Sequence, residues 1–333
     1  MKRKLLQIFV AVVVAGGGLY LALRGMDLEQ LLAAMRAARW GWLLLSTFLI
    51  ILGLIFRAQR WRVLLNYRVS LSDAFWLTNI GYLVNNLLPM RLGDPAKGVA
   101  AGLRGAISPL AALSTVVVER VLDMLTIVLL MLATLPFILS AGLDDYCSIG
   151  LASGGVALAA IVGLAVVARF PAVPERIAAW LLARLRIPQA ERWLAWLHQL
   201  LEGLAPLRSP RQGALIVLWS LVHWLCVAAY FQVGLYAFMD APPALGGLLV
   251  TWAAALGMML PSPGGIGAYH TAVIQALTLA YAIPQETAGA FAFVIHGITY
   301  FIGIALGAVA LLTWGLSFKE VLSGAQTLPS EKG

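Results

Sequence analysis

The fold of this chain is decided by two interrupted apolar stretches, Leu87-Leu88-Pro89-Met90-Arg91-Leu92-Gly93-Asp94 and Met259-Leu260-Pro261-Ser262-Pro263-Gly264-Gly265-Ile266-Gly267. When the two are aligned on their Leu-Pro pair, Gly93 falls opposite Gly265. Interrupted hydrophobic segments at corresponding positions of two halves are typical of transporter substrate sites. Irregular backbone at membrane depth is stable only where protein covers it or where it lines a wet cavity. We therefore expect the functional site at these two breaks.

The composition is that of a polytopic membrane protein. Of the 333 residues, 61% are hydrophobic and 11% are charged, whereas soluble domains have roughly 45–50% apolar and about 25% charged residues. No polar stretch is long enough for a separate soluble catalytic domain, so the function is expected in or on the bilayer. The net charge of +8 favours anionic lipid head groups over nucleic acid as a partner.

Apolar runs predict six full membrane spans, each about 20 residues long or longer. The run 5–23 follows Met1-Lys2-Arg3-Lys4 and is too long for a typical signal peptide, so we interpret it as a retained helix. The run 108–140 is about 50 Å long as a helix and is expected to tilt or to overhang the bilayer. The predicted spans are 5–23, 40–57, 108–140, 148–168, 212–238 and 287–316.

Charge predicts the orientation of these spans. The predicted outer loops 141–147, 239–243 and 283–286 contain no Lys or Arg, whereas seven Arg lie between residues 169 and 211. Arg60, Arg62 and Arg68 are assigned to the inner side with the amino terminus. By the positive-inside rule, both termini are expected in the cytoplasm.

The same rule makes the two interrupted segments re-entrant hairpins, because a full first span would place Arg91, Lys97 and Arg104 outside. The hairpins are predicted at about 71–104, entering from the cytoplasm, and at about 244–282, entering from the outside. The fold class is therefore all-α: a single membrane domain (1–333), with oppositely oriented hairpins in an inverted-topology repeat. The first repeat is 5–140 and the second is 148–316, which includes an amphipathic interfacial segment at 173–206. A solvated linker at 173–206 is the alternative.

The hairpin tips are predicted to attract an anion. Asp94-Pro95 is a good helix start, and helix amino termini attract anions. The alternative is that Gly and Pro only allow tight hairpin packing, with Asp94 as the partner of Arg91. The candidate residues at the tips are Arg91, Gly93, Asp94 and Lys97 in the first half, and Pro261, Gly264, Gly265 and Gly267 in the second.

An ionisable triad lies inside the long span 108–140. Glu119 and Asp123 are one helical turn apart, and Arg120 can reach Asp123 at i+3. Ionisable groups within a membrane are functional candidates; a structural ion-pair network holding the span against a hairpin is equally compatible with the pattern.

The histidines and cysteines are less informative. His270 lies near the second tip and is a candidate phosphate ligand or proton relay, with packing as the alternative. His296 and Tyr300 share a face that continues with Gly303 and Gly307, a spacing that indicates close helix packing. The two cysteines, Cys147 and Cys226, have no metal-site or redox-motif spacing, so no metal and no cofactor are expected.

The chain resembles the flippase-like membrane family that includes the transmembrane region of lysylphosphatidylglycerol synthase. The resemblance covers roughly 5–316 and rests on Asn86 to Asp94, on Glu119-Arg120 with Asp123, and on Leu260 to Gly267. It implies a bacterial cytoplasmic membrane protein that moves a lipid or lipid-linked molecule between leaflets. The aminoacyl-transferase domain of the fused synthases is not found in these 333 residues, so lysyl-lipid synthesis is not expected.

The sequence thus predicts flippase- or scramblase-like translocation of an anionic phospholipid or a polyprenyl-phosphate lipid. Arg91, Lys97 and Arg120 are expected to attract the phosphate. One alternative is a membrane-embedded glycosyl- or other transferase acting on a lipid-linked substrate. Another is a non-transporting scaffold that assembles lipid-synthesis enzymes.

Overall fold

The computed structural model describes residues 2–88, 92–103, 109–140, 145–260 and 262–327, and every regular element among them is helical. Short 3-10 turns occur at Ala205–Arg208 and Pro263–Gly265. The α-helices are α1 (Lys2–Leu23), α2 (Leu28–Arg36), α3 (Trp40–Leu64), α4 (Leu71–Leu87), α5 (Gly93–Leu103), α6 (Pro109–Ser140), α7 (Asp145–Arg169), α8 (Ala172–Arg184), α9 (Ala190–Glu202), α10 (Pro210–Leu235), α11 (Gly246–Gly257), α12 (Ala268–Tyr281), α13 (Gln285–Trp314) and α14 (Phe318–Thr327).

Local capping residues set several helix starts. Asp27 accepts hydrogen bonds from the amides of Glu29 and Gln30 at the start of α2, and Ser70 accepts from the Asp73 amide at the start of α4. Ser209 caps α10, whose first residue is a proline. Because proline lacks an amide proton and has a fixed φ, it suits the first position of a helix.

Within the described part of the chain, three helices, α3, α10 and α13, are long and apolar enough to cross a membrane by themselves, and the bent pair of 158–169 and α8 would make a fourth. The axes of 158–169 and α8 meet at 89°. The predicted amphipathic segment 173–206 therefore contains two helices, α8 and α9, which follow this sharp bend.

Helices α3 and α10 pack extensively against each other. Ser46 donates a hydrogen bond to the Tyr230 carbonyl at 3.0 Å, and His223 Nδ1 lies 2.9 Å from the Gly53 carbonyl. Two apolar cores lie towards opposite ends of this pair. One surrounds Trp61, and the other surrounds Phe291.

Close packing at Gly303 and Gly307 is confirmed. A Cβ atom at Gly307 would lie 2.5 Å from the backbone carbonyl oxygen of Asn79 in α4. One at Gly303 would lie 2.8 Å from the side-chain Nδ2 of Asn86. These glycines of α13 therefore allow the backbones of α13 and α4 to approach, as small residues do between membrane helices. The contact brings the end of α4 next to the face of α13 that carries Tyr300.

A pH-sensitive contact joins α8 to α9. His198 Nδ1 lies 2.8 Å from Glu175 Oε1, and this hydrogen bond raises the pKa of His198 above its ordinary value of 6.5. Because the folded state favours the imidazolium, the contact contributes fully below that ordinary pKa and is lost as the pH rises through the raised pKa. We expect slower amide exchange in α9 at about pH 5.5 than at about pH 8.5 after correction for intrinsic rates. His198→Gln should abolish the difference; an unchanged difference in this variant would contradict the assignment.

Candidate functional site

A cavity of about 300 Å³ lies in the middle of the helix bundle. Helices from both halves of the chain form its walls: α3, α4 and α6 from the first half, and α10 to α13 from the second. Most of the lining is apolar, including Leu54, Ile127 and Phe231, and its polar groups are concentrated in two regions. An apolar pocket with a few convergent polar groups is the usual form of a ligand site.

The end of α4 and the turn before α12, which flank the two predicted tips, meet at this cavity. Asn86, near the end of α4, donates from its side-chain amide to the Tyr300 carbonyl at 3.0 Å, and the Tyr300 hydroxyl donates to the Asn86 carbonyl at 3.2 Å. Gly264 packs against the Tyr300 ring. Tyr300 therefore links the end of α4 to the turn before α12, and all three of these residues line the cavity.

Asp123 is the centre of the charged region. One of its carboxylate oxygens accepts from Arg60 at 2.8 Å and from the Trp224 indole at 3.1 Å, and the other accepts from Arg57 at 3.1 Å. All of these partners come from α3 and α10. Asp123, Arg57 and Trp224 line the cavity, whereas Arg60 is completely buried behind them.

Glu119 extends this network away from the cavity. It accepts from Arg60 at 3.1 Å and from Lys97 at 2.6 Å. The Lys97 ammonium also lies 3.7 Å from the centre of the Trp61 ring, a cation–π contact that is strong when desolvated. Glu119 therefore joins α6 to α3 and to α5, as the alternative of a structural ion-pair network predicted.

Arg120 binds Asp94 through two parallel hydrogen bonds. Its Nε and Nη2 atoms lie 2.8 Å and 2.6 Å from the two carboxylate oxygens, a geometry that is specific to arginine. The predicted i+3 contact from Arg120 to Asp123 is present at 3.8 Å. Helix α5 begins at Gly93, one residue before the predicted cap, and the Asp94 carboxylate is engaged with Arg120. Arg120 lines the cavity and is only partly buried.

The second polar region of the cavity is uncharged. The Ser262 and Tyr269 hydroxyls are buried and have no hydrogen-bond partner among the described residues, and both side chains line the cavity. Buried polar atoms are normally satisfied, so each exception calls for an explanation. His296 lies beside them, its ring 4.2 Å from that of Tyr269.

The turn before α12 has a left-handed backbone at its glycines, with φ of 57° at Gly264, 75° at Gly265 and 86° at Gly267. Gly267 also packs directly on the backbone of α1, where a Cβ atom would lie 2.3 Å from the Ala15 carbonyl. Only glycine combines this conformation with so close a contact.

The structure brings most of the predicted residues to one region of the bundle. Gly264, Gly265, Arg120 and Asp123 line the cavity. Asp94, Lys97 and Glu119 belong to the ion-pair network beside it, and the Gly93 amide donates to the Asn85 side chain at 2.8 Å. His270 is buried next to His296. Arg91 and Pro261 lie outside the described residues.

Sequence reasoning missed the role of Arg57 and Arg60. Arg60 was assigned to the inner loop, but the structure buries it completely as a partner of Asp123 and Glu119. The spacing was a usable signal. Arg57 and Arg60, at i and i+3, share one face of a helix, and the carboxylates of Glu119 and Asp123, at i and i+4, share one face of another. The hydropathy argument ended the span at residue 57, whereas α3 continues to Leu64.

The comparisons with known proteins agree with the sequence resemblance. The family described as "Lysylphosphatidylglycerol synthase TM region" matches residues 8–307. No curated protein and no solved structure gives a significant match. The family match covers most of the chain and agrees with the membrane-length apolar helices. The chain is thus an integral membrane protein of the lysylphosphatidylglycerol synthase TM-region family, a family tied to lipid metabolism or transport.

Proposed function

We propose that this protein translocates an anionic or phosphate-bearing lipid, or a lipid-linked precursor, between the two leaflets of the membrane. The head group passes through the central cavity while the acyl or prenyl tails stay in the bilayer. The observation that carries this proposal is the cavity itself: Arg57 and Arg120 line an otherwise mostly apolar space between the end of α4 and the turn before α12.

The proposed architecture has about six spans and two re-entrant hairpins, α4–α5 and α11–α12, in an inverted repeat. Several helix contacts support it, because they come in corresponding pairs. Helix α4 packs on α13 just as α11 packs on α6, and α2 packs on α13 just as α9 packs on α6. An exchange of the two halves turns each of these contacts into its counterpart.

The charge balance at the cavity supports an anionic ligand. Among the described residues, the buried network contains four cations and three carboxylates. It therefore has one positive charge in excess when all seven groups are ionised. A buried charge of this kind is costly unless an anion neutralises it. The seven groups are Arg57, Arg60, Lys97, Arg120, Asp94, Glu119 and Asp123.

The uncharged region supplies further donors. Hydroxyl groups donate to phosphate oxygens. Ser262 and Tyr269 line the cavity, and their buried hydroxyls have no protein partner among the described residues. Arg120 offers the planar geometry that suits phosphate. A phosphate in the cavity would balance the excess charge and would lie beside both Ser262 and Tyr269.

We further propose that the protein resides in the bacterial cytoplasmic membrane with both termini in the cytoplasm. Its partners are then anionic phospholipids or polyprenyl-phosphate lipids, and the enzymes that make such lipids. The charge asymmetry of the loops supports this orientation.

Arg120→Gln tests the proposal in liposomes that contain the purified protein and a fluorescent short-chain anionic phospholipid. Bleaching of the outer leaflet with dithionite measures lipid exchange between the leaflets. We expect at least a tenfold slower exchange, since a hydrogen bond to a charged group is worth about 1.5–3 kcal/mol and about 1.4 kcal/mol corresponds to a factor of ten in rate. Arg192→Gln, a half-buried residue of α9 that does not line the cavity, is the matched control and should exchange lipid like the wild type.

Two results would contradict the proposal. Wild-type protein that leaves the exchange at the rate of empty liposomes would refute translocation. Formation of a product only when a donor substrate is added, without lipid exchange, would instead favour the transferase alternative.

A further inference from the structure

A chain of three hydrogen-bond contacts connects the second tip to α13. The Gly267 amide donates to His270 Nδ1 at 3.2 Å. His270 Nε2 lies 3.4 Å from His296 Nδ1, and His296 Nε2 lies 2.8 Å from the Gly264 carbonyl. The chain therefore starts and ends on the backbone of the glycine turn and passes through two buried imidazoles.

The backbone ends of this chain determine both imidazole tautomers. A backbone amide can only donate and a carbonyl can only accept, so His270 Nδ1 has no proton and His296 Nε2 has one. Neutral His270 then has its proton on Nε2, directed at the free Nδ1 of His296. Every contact in the chain is satisfied when both rings are neutral.

The surroundings of the pair contain aromatic and aliphatic groups. The titratable side chains in contact with the rings are Tyr269 on α12 and Tyr300 on α13. Tyr230 on α10 donates to the carbonyl of Ile295, next to His296. Phe293 stacks on the His270 ring at 4.2 Å. Within the described residues neither ring forms an ion pair, and the elements α1 and α11 present no titratable group to the pair.

Charged side chains line the same cavity as His296. Arg57 lies on α3, and Arg120 and Asp123 lie on α6. Tyr82 of α4 and His223 of α10 line the same cavity. His296 lines this cavity together with them, whereas His270 lies behind it. A proton or an anion in the cavity therefore has direct access to His296.

We propose that the His270–His296 pair binds one proton together with the anionic head group, so that translocation is coupled to protons. This inference rests on the proposed function. A proton can add only at one of the two unprotonated Nδ1 atoms, and either addition sets two N–H groups against each other. The proton thus breaks the contact between the rings or the contact to Gly267, which frees the glycine turn.

The anion and the proton assist each other. An imidazolium in this aliphatic and aromatic setting needs a nearby negative charge, and a phosphate in the cavity provides it. By linkage, the bound proton raises the affinity for the phosphate by the same factor. The turn is therefore released only when both ligands are present.

A pH gradient across liposomes tests this coupling with the same fluorescent anionic phospholipid. One pH unit corresponds to about 1.36 kcal/mol per proton, so one proton per lipid supports up to about a tenfold difference in lipid concentration between the leaflets. His296→Gln and His270→Gln should each reduce this ratio to one. His198→Gln, whose ring is exposed on α9, should retain the wild-type ratio. Equal leaflet concentrations with wild-type protein would overturn the inference.

Nitrogen-15 NMR of the histidine rings provides a readout that does not depend on transport. We expect both rings as Nε2–H tautomers in detergent, and an imidazolium signal from His296 on addition of phosphatidylglycerol but not of phosphatidylcholine. Lipid exchange without accumulation and without this signal would refute the proton site alone. An absence of lipid exchange in every condition would refute the proposed function, and the NMR signal would then still decide whether the pair binds a proton with an anion.

Discussion

Asp123→Asn is expected to destabilise the protein by about 3–5 kcal/mol, because removal of one partner from a buried ion pair leaves an uncompensated charge. The Asp123 carboxylate accepts from Arg57, Arg60 and Trp224, and an amide of the same size cannot neutralise either guanidinium. The free energy of unfolding is measured by SDS titration in mixed micelles. Asp240→Asn is the matched control, since Asp240 pairs with Arg39 at 2.6 Å but its side chain is 97% exposed. Exposed pairs contribute about 0–1 kcal/mol.

A second substitution separates the loss of charge balance from the loss of packing. Asp123→Asn raises the excess positive charge of the network from one to two, and Arg60→Gln lowers it again to one, so the double variant should be more stable than the sum of the single effects predicts. Coupling between groups in one network is about 0.5–3 kcal/mol. Strict additivity, or equal losses for Asp123→Asn and Asp240→Asn, would show that Asp123 has no central role in the network.

The breaks were predictable from the sequence because their signals are local. Closely spaced prolines and glycines favour a break in a helix, and α4 ends at Leu87 while α12 begins at Ala268, next to the two predicted tips. Long uniform apolar runs were equally informative. The predicted spans 108–140 and 287–316 correspond to α6 (Pro109–Ser140) and α13 (Gln285–Trp314) within two residues at each end.

The site was less predictable because its partners are distant in sequence. Asp123 lies 63 residues from Arg60 and 101 residues from Trp224, so no spacing rule connects them. A hydropathy scale also treats Arg57 and Arg60 as exposed charges, although both form ion pairs with the Asp123 carboxylate of α6 inside the bundle. The pairing depends on how α3 and α6 are arranged around α10.

The histidine chain illustrates the same limit. His270 was a candidate because it follows the glycine turn, but His296 was interpreted as part of a packing face. The two rings lie 26 residues apart, on α12 and α13, and only the fold directs them at each other and at the carbonyl and amide of the same turn. The sequence indicated the glycine turn before α12, whereas the hydrogen bonds that hold this turn depend on the tertiary structure.

Gly267→Ala is expected to destabilise the protein by about 2–5 kcal/mol and to abolish lipid exchange. A left-handed conformation costs an alanine about 1–2 kcal/mol, and overpacking adds about 1–3 kcal/mol. Here φ is 86°, and the new Cβ atom would lie 2.3 Å from the Ala15 carbonyl and 2.7 Å from the Leu19 amide nitrogen, both backbone atoms of α1. Rigid backbone cannot yield as a side chain does, so the turn must move, and the Gly267 amide then loses His270.

Gly16→Ala is the matched control. Gly16 lies on α1, the helix against which Gly267 packs, and a Cβ atom at Gly16 would have no neighbour within 4 Å. It should leave lipid exchange unchanged and stabilise α1 by up to about 1 kcal/mol, the difference in helix propensity between the two residues. Gly93→Ala separates strain from packing: its Cβ atom would lie 1.9 Å from the Gly81 carbonyl without a positive φ, so only the overpacking part of the loss applies. If Gly267→Ala unfolds and exchanges lipid like Gly16→Ala, the turn is not held against α1, and the proposed coupling through His270 has no rigid element to act on.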